Sequence, residues 1–128
     1  MKTITAEELI EIVNFGHNSY LIVSDRVYKT TSEADIKKIE KIMKIVRKLF
    51  PYKPETRDCD DFAKIAKTVQ ILFCPGRAFG EIYANNLGTE NRHALNIFIN
   101  ENKQKKYYEP QSGKVFDTTP TGFVETKF

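Results

Sequence analysis

Cys59, His93 and Glu109 have the types and the order for thiol chemistry. Cys59 lies in Arg57-Asp58-Cys59-Asp60-Asp61-Phe62-Ala63. Phe62, Ala63, Ala66, Val69 and Phe73 then recur at helical spacing, so the cysteine falls in the first turn of a helix. A helix N-terminus favours thiolate through its unpaired N–H groups and dipole. His93 opens the strand-like run His93-Ala94-Leu95-Asn96-Ile97-Phe98-Ile99; an imidazole there could carry a proton. Glu109 follows Tyr107-Tyr108 and precedes Pro110-Gln111; a carboxylate there could fix the tautomer of that imidazole. The reaction expected of the three is acyl transfer through a thioester on Cys59, with Asn96 and Gln111 as supporting hydrogen-bonding residues.

The acidic neighbours work against the thiol. Asp58, Asp60 and Asp61 suit a helix start, as N-cap and first-turn acids. Carboxylates beside Cys59 raise its pKa, and a bound divalent cation would remove that penalty. Cys74 follows Ile71-Leu72-Phe73 and precedes Pro75-Gly76, which predicts a small buried residue at a helix end. About 15 residues of helix at roughly 1.5 Å each separate the two sulfurs by about 22 Å, too far for a disulfide. No other Cys or His stands at zinc-ligand spacing from Cys59.

The positioning elements follow from periodicity. Thr5-Ala6-Glu7-Glu8 reads as a capping box before a short helix with Leu9, Ile10, Ile12 and Val13 as its stripe. Tyr20–Val23 and Val27–Lys29 read as a hairpin turning at Ser24-Asp25-Arg26. Ser32 caps a second helix with Ile36, Ile39, Met43, Val46 and Phe50 inward and Lys37, Lys41, Lys44 and Lys48 outward. Pro51 and Pro54 end it. After Pro75-Gly76, strands are expected at Phe79–Tyr83, His93–Ile99, Lys105–Glu109 and Val115–Asp117, with Asn85–Asn91 as a polar loop. Helices first and antiparallel strands after predict an α+β class. The 128 residues are expected to form one domain, 1–54 its helical N-terminal part and 55–128 the part carrying the site. A hairpin centred on Glu101 would set His93 directly opposite Glu109, on the face of Leu95, Ile97 and Ile99 that the Cys59 helix is expected to cover.

At Asp58-Cys59-Asp60-Asp61-Phe62-Ala63, His93-Ala94-Leu95-Asn96 and Glu109-Pro110-Gln111, the chain resembles the papain-like C-terminal protease domain of the fairy-ring mushroom agglutinin. The resemblance covers roughly residues 55–117. It implies a papain-like (transglutaminase-like) core with helices packed on a C-terminal antiparallel sheet. It implies a Cys-His-Glu triad at Cys59, His93 and Glu109, a peptide or protein substrate, and a calcium requirement with Asp60 and Asp61 as ligands. One departure stands out: no Gln precedes Cys59 as an oxyanion donor.

Composition bounds these readings. Hydrophobic content of 41%, charged content of 29% and a net charge of +3 suit a soluble globular chain. Net charge alone supplies no concentrated basic face, so nucleic acid is not the expected partner. No apolar run approaches the roughly 20 residues of a membrane span. Glu7 and Glu8 stand where a signal peptide is apolar, so a cytoplasmic protein without a membrane partner is expected. Two alternatives remain beside the cysteine hydrolase. One is a non-catalytic binding domain that keeps the fold, for example a virus or mobile-element accessory protein. The other is a basic nucleic-acid-binding module.

Overall fold

The computed structural model describes residues 2–54, 57–89 and 91–128. Glu90, expected in the loop before His93, and Glu55 and Thr56, at the start of the C-terminal part, lie outside the described residues. In chain order the elements are β1 (Thr3–Thr5), α1 (Ala6–Ile12), β2 (Ser19–Ile22), β3 (Val27–Lys29), α2 (Glu33–Leu49), α3 (Cys59–Phe73), β4 (Phe79–Asn85), β5 (His93–Ile99), β6 (Lys105–Tyr108), β7 (Val115–Phe116) and β8 (Thr121–Lys127). Among these residues no helix is long and apolar enough to cross a membrane.

Local chemistry places the helix starts where the sequence does. Thr5 and Glu8 form a reciprocal box, with Glu8 N–H donating to Thr5 Oγ1 at 3.1 Å and Thr5 N–H to Glu8 Oε1 at 3.3 Å. Ser32 and Asp35 repeat it at 3.1 and 3.0 Å. Asp35 does further work there, since Arg77 Nε donates to its carboxylate at 2.9 Å. Cys74 caps α3 and is buried, as its apolar flanks predict.

The expected α+β arrangement of helices on a C-terminal antiparallel sheet needs correction. The main sheet has six strands in the order β2-β8-β4-β5-β6-β7, and it recruits β2 from the N-terminal part. β2 pairs parallel with β8, from Ser19↔Val124 to Ile22↔Lys127. β3 pairs with β1 in a separate two-stranded sheet. Tyr20–Val23 and Val27–Lys29 therefore make no hairpin with each other. Tyr28 explains the split: it is 2% exposed, and its hydroxyl accepts from Ser24 and Asp25 N–H at 3.1 and 2.9 Å. The connecting turn thus folds onto Tyr28 instead of closing a ladder. The described residues hold eight strands and three helices, with a six-stranded sheet at the centre.

The middle of the sheet, around β5, is covered on both faces. One core joins Ile4, Leu9 and Tyr28 to Ile82, Leu95, Ile97 and Tyr107. The other joins Ile36, Ile39 and Met43 of α2 and Phe62 and Ala66 of α3 to Phe79, Phe98 and Tyr108. The Cys59 helix therefore covers the face of Ala94, Asn96 and Phe98, and not that of Leu95, Ile97 and Ile99 as expected. A strand buried on both faces reads as continuously apolar, so its alternation cannot say which layer takes which side.

Asn96 ties the layers together. It is fully buried, and its Nδ2 donates to Ala63 O of α3 at 2.9 Å and to Gly80 O of β4 at 3.1 Å. Replacing Asn96 with Leu should lower stability by on the order of 1–3 kcal/mol, because two buried acceptors lose a donor. Ile10→Ala, at a half-exposed position, should change it by less than about 0.5 kcal/mol. Urea denaturation of both variants checks the contrast.

Candidate functional site

α3 presents Cys59 as its first residue, and β5 presents His93 as its first residue. The half-buried thiol meets β5 one position further along, where the backbone N–H of Ala94 is directed at it. Burial nonetheless pushes the Cys59 thiol above its ordinary value of 9.0, and the Asp58 and Asp60 carboxylates push the same way, while the Ala94 N–H opposes them. The helix N-terminus does not outweigh them.

His93 and Glu109 meet, by a register other than the expected one. Tyr108 pairs with Asn96 and Lys105 with Ile99, so the hairpin centres on Asn102 and not on Glu101. Asn100 sets this turn. Its Oδ1 accepts from Asn102 and Gln104 N–H at 3.0 and 2.9 Å, and Lys103 takes a positive φ of 58°. The slip is two residues, an even number, so Glu109 stays on the face of His93. The two side chains are diagonal, not opposite. His93 Nε2 lies 2.5 Å from Glu109 Oε2, with side chains 13% and 16% exposed. Gln111 helps through its backbone, whose N–H donates to Glu109 Oε1 at 3.0 Å.

A clamp that sequence reasoning missed holds the Glu109 turn. Arg47 reaches in from α2 and forks onto Glu40, with Nη1 to Oε1 at 2.8 Å and Nη2 to Oε2 at 2.6 Å. The same Nη1 donates to Pro110 O at 3.0 Å, and Tyr108 Oη donates to Glu40 Oε1 at 2.6 Å. Gly113 closes the turn at φ +82°, where a Cβ would sit 2.6 Å from the Glu40 carboxylate. One signal was readable: Arg47 is the single arginine in a lysine-rich helix, and a planar fork suits a bidentate partner where lysine does not.

Oxygen ligands for a metal are also at hand. Asp58, Asp60 and Asp61 offer carboxylate oxygens within 4.8 Å of one another at the α3 N-terminus, a donor set suited to a hard cation such as calcium. Asp61 already accepts from Asp58 N–H at 3.1 Å, and Asp60 lies 3.7 Å from Lys64. The nearness of Asp58 and Asp60 to each other pushes the Asp58 carboxyl up and that of Asp60 down.

Beside α3 the sheet face is open. Register puts Glu81 and Tyr83 of β4 against Lys127 and Glu125 of β8, and Glu125 and Lys127 against Tyr20 and Ile22 of β2. Tyr20, Tyr83 and Phe123 are each more than a third exposed. Arg92 stacks 4.5 Å from the Tyr83 ring centroid and 6.0 Å from that of Phe123. A cleft of about 460 Å³ runs between this face and Asp58, Asp60 and Lys64 of the Cys59 helix. The alternation Glu81-x-Tyr83 and Phe123-x-Glu125-x-Lys127 was the sequence signal for it.

No family model and no curated protein matches this chain. Solved structures do. A PSL1a–E64 complex superposes with a TM-score of 0.73 at 19% identity, covering 98% of this chain and 51% of that one. Polyporus squamosus lectin, bound to the human-type influenza-binding epitope Neu5Aca2-6Galb1-4GlcNAc, gives 0.72 at 20%, covering 96% and 49%. This chain shares their fold. It spans about half the length of each. The expected identity as a papain-like protease domain is corrected on this finding: the structures that share the fold carry a lectin's name, and neither is named as a hydrolase or protease. The keywords that came with that identity, hydrolase and thiol protease, fall with it.

Two measurements check the site. Alkylation of Cys59 by iodoacetamide should rise at higher pH than that of a free thiol, and Asp60→Asn should move the profile to lower pH by removing a negative neighbour. Arg47→Met should cost about 1–3 kcal/mol and flatten the acid limb of stability. The hydrogen bonds from Arg47 hold the Glu40 carboxyl below its usual range. That contribution is present above the unfolded-state pKa and lost as pH falls through the folded one, so denaturation across acid pH resolves it.

Proposed function

We propose that this chain is a binding domain for a polyhydroxylated ligand, a carbohydrate, held in the cleft between α3 and the open face of β4 and β8. The observation that carries it is the lining. Asp60, Glu81 and Glu125 offer acceptors, Lys64 and Lys127 offer donors, and the Tyr83 ring stands among them. A sugar presents the complement: hydroxyls that bridge carboxylates and ammonium groups, and a C–H face that packs on an aromatic ring. Burial and the neighbouring carboxylates push the Cys59 thiol up, which suits a binder more than an activated nucleophile. The lectin name of the structures sharing the fold agrees with this reading.

A second reading rests on a separate observation, the 2.5 Å contact of His93 with Glu109. There Cys59 forms a thioester with an acyl ligand. His93 takes the thiol proton and returns it to the leaving amine or alcohol, Glu109 orients the ring, and Asn96 and Gln111 support α3 and the Glu109 turn.

The test sets the two readings against each other. A glycan array including Neu5Aca2-6Galb1-4GlcNAc should give binding that Tyr83→Ala weakens about tenfold, ~1.4 kcal/mol, and that Cys59→Ser leaves unchanged. No glycan binding, together with a covalent E64 adduct on Cys59 at neutral pH that His93→Ala abolishes, would overturn the carbohydrate reading in favour of the thioester one.

A further inference from the structure

We propose that the outer face of α2 and the turn after it form a docking surface for an anionic lipid bilayer. This surface is independent of the cleft beside α3. Lys37, Lys41, Lys44 and Lys48 recur along one stripe of α2 at three- and four-residue spacing, and all are exposed. Lys38 and Lys53 are exposed as well. None of the four stripe lysines, nor Lys38, makes an ion pair among the described residues. The one described acid within this stretch of helix, Glu40, is turned inward onto Arg47 and Tyr108. From Lys37 to Lys48 the stripe therefore carries four lysines against a single acid that is already paired inward.

The flank of the stripe is apolar. Ile45 and Leu49 follow Lys41 and Lys44 along the helix and are 56% and 64% exposed, and Phe50 and Tyr52 continue past its end at 51% and 52%. α2 already buries Ile36, Ile39 and Met43 in the core, so these four lie outside it, Phe50 with Arg57 5.4 Å from its ring centroid. A patch of lysines beside large exposed apolar groups is the composition that adsorbs at a lipid interface. The ammonium groups meet anionic headgroups, and the apolar side chains enter the headgroup–acyl boundary. This mode lies on the surface and does not cross it, so it needs no spanning helix, and none of the described helices is one.

The occupant is lipid and not nucleic acid for two reasons. Phosphate backbones would engage the lysines but leave Ile45 and Leu49 in water. The helix's single arginine, the residue suited to bidentate base contacts, is committed inward to Glu40.

Vesicle co-sedimentation of the full chain tests this. Vesicles of phosphatidylcholine with phosphatidylserine should bind it, and phosphatidylcholine alone should not. Raised salt should release it, as screening demands. Lys41→Glu, Lys44→Glu and Lys48→Glu together should abolish binding. Leu49→Ser with Phe50→Ser should weaken it about tenfold or more, ~1.4 kcal/mol, with every charge retained. All five positions are exposed, so each variant should keep the parent melting temperature. Equal binding to neutral and anionic vesicles overturns the proposal, as does an unchanged affinity of either variant. A DNA duplex that displaces the chain from vesicles, and whose own binding depends on the lysines but not on Leu49 and Phe50, also overturns it.

Discussion

Everything in this fold is referred to β5, a strand buried on both faces. From Ala94 to Ile99 each residue is buried. Leu95, Ile97 and Ile99 face the layer built from α1, β1 and β3, and Phe98 faces α2 and α3. A strand so enclosed cannot slip by one residue, since that would exchange two differently shaped cores. Asn96 is its single polar side chain in that run. It fixes the height of α3 over the sheet through Ala63 and the position of β4 through Gly80.

The candidate site hangs from the start of this strand. His93 is where β5 emerges from its enclosure, and Glu109 is where β6 gives way to a turn. Their meeting depends on α2 as much as on the sheet, because Arg47 holds the Pro110 carbonyl and Glu40 takes the Tyr108 hydroxyl. A partly exposed ion pair does little for stability in general. This one is bidentate and joined to two backbone-positioning contacts, which is why its geometry outweighs its exposure.

The electrostatics of the α3 start are a contest with a definite outcome. Dipole and the Ala94 N–H favour thiolate; burial and two carboxylates favour thiol, and they prevail. The same carboxylates line the cleft toward β8, beside Tyr83. What disfavours a charged nucleophile thus also lines the cleft. The chain shares its fold with chains about twice as long.

The sequence by itself determined what is local. Capping boxes at Thr5 and Ser32, the acidic start of α3 and the buried end at Cys74 are settled within a few residues of one another, so their chemistry is written in adjacent letters. The even spacing that keeps His93 and Glu109 on one face was also legible, though the hairpin centre was not, because it rests on a positive φ at Lys103 that the Asn100 carboxamide imposes. Tertiary structure alone decided the long-range matters: that β2 would leave β3 and join β8 from the far end of the chain, which face of β5 would receive α3, and that Arg47 would reach Pro110. Each is a choice between partners of similar apolarity or charge, and only the simultaneous packing of all layers separates their energies. The papain-like identity came from short motifs, which record side-chain order; the sheet's strand order and its parallel edge are properties of the whole chain that no motif carries.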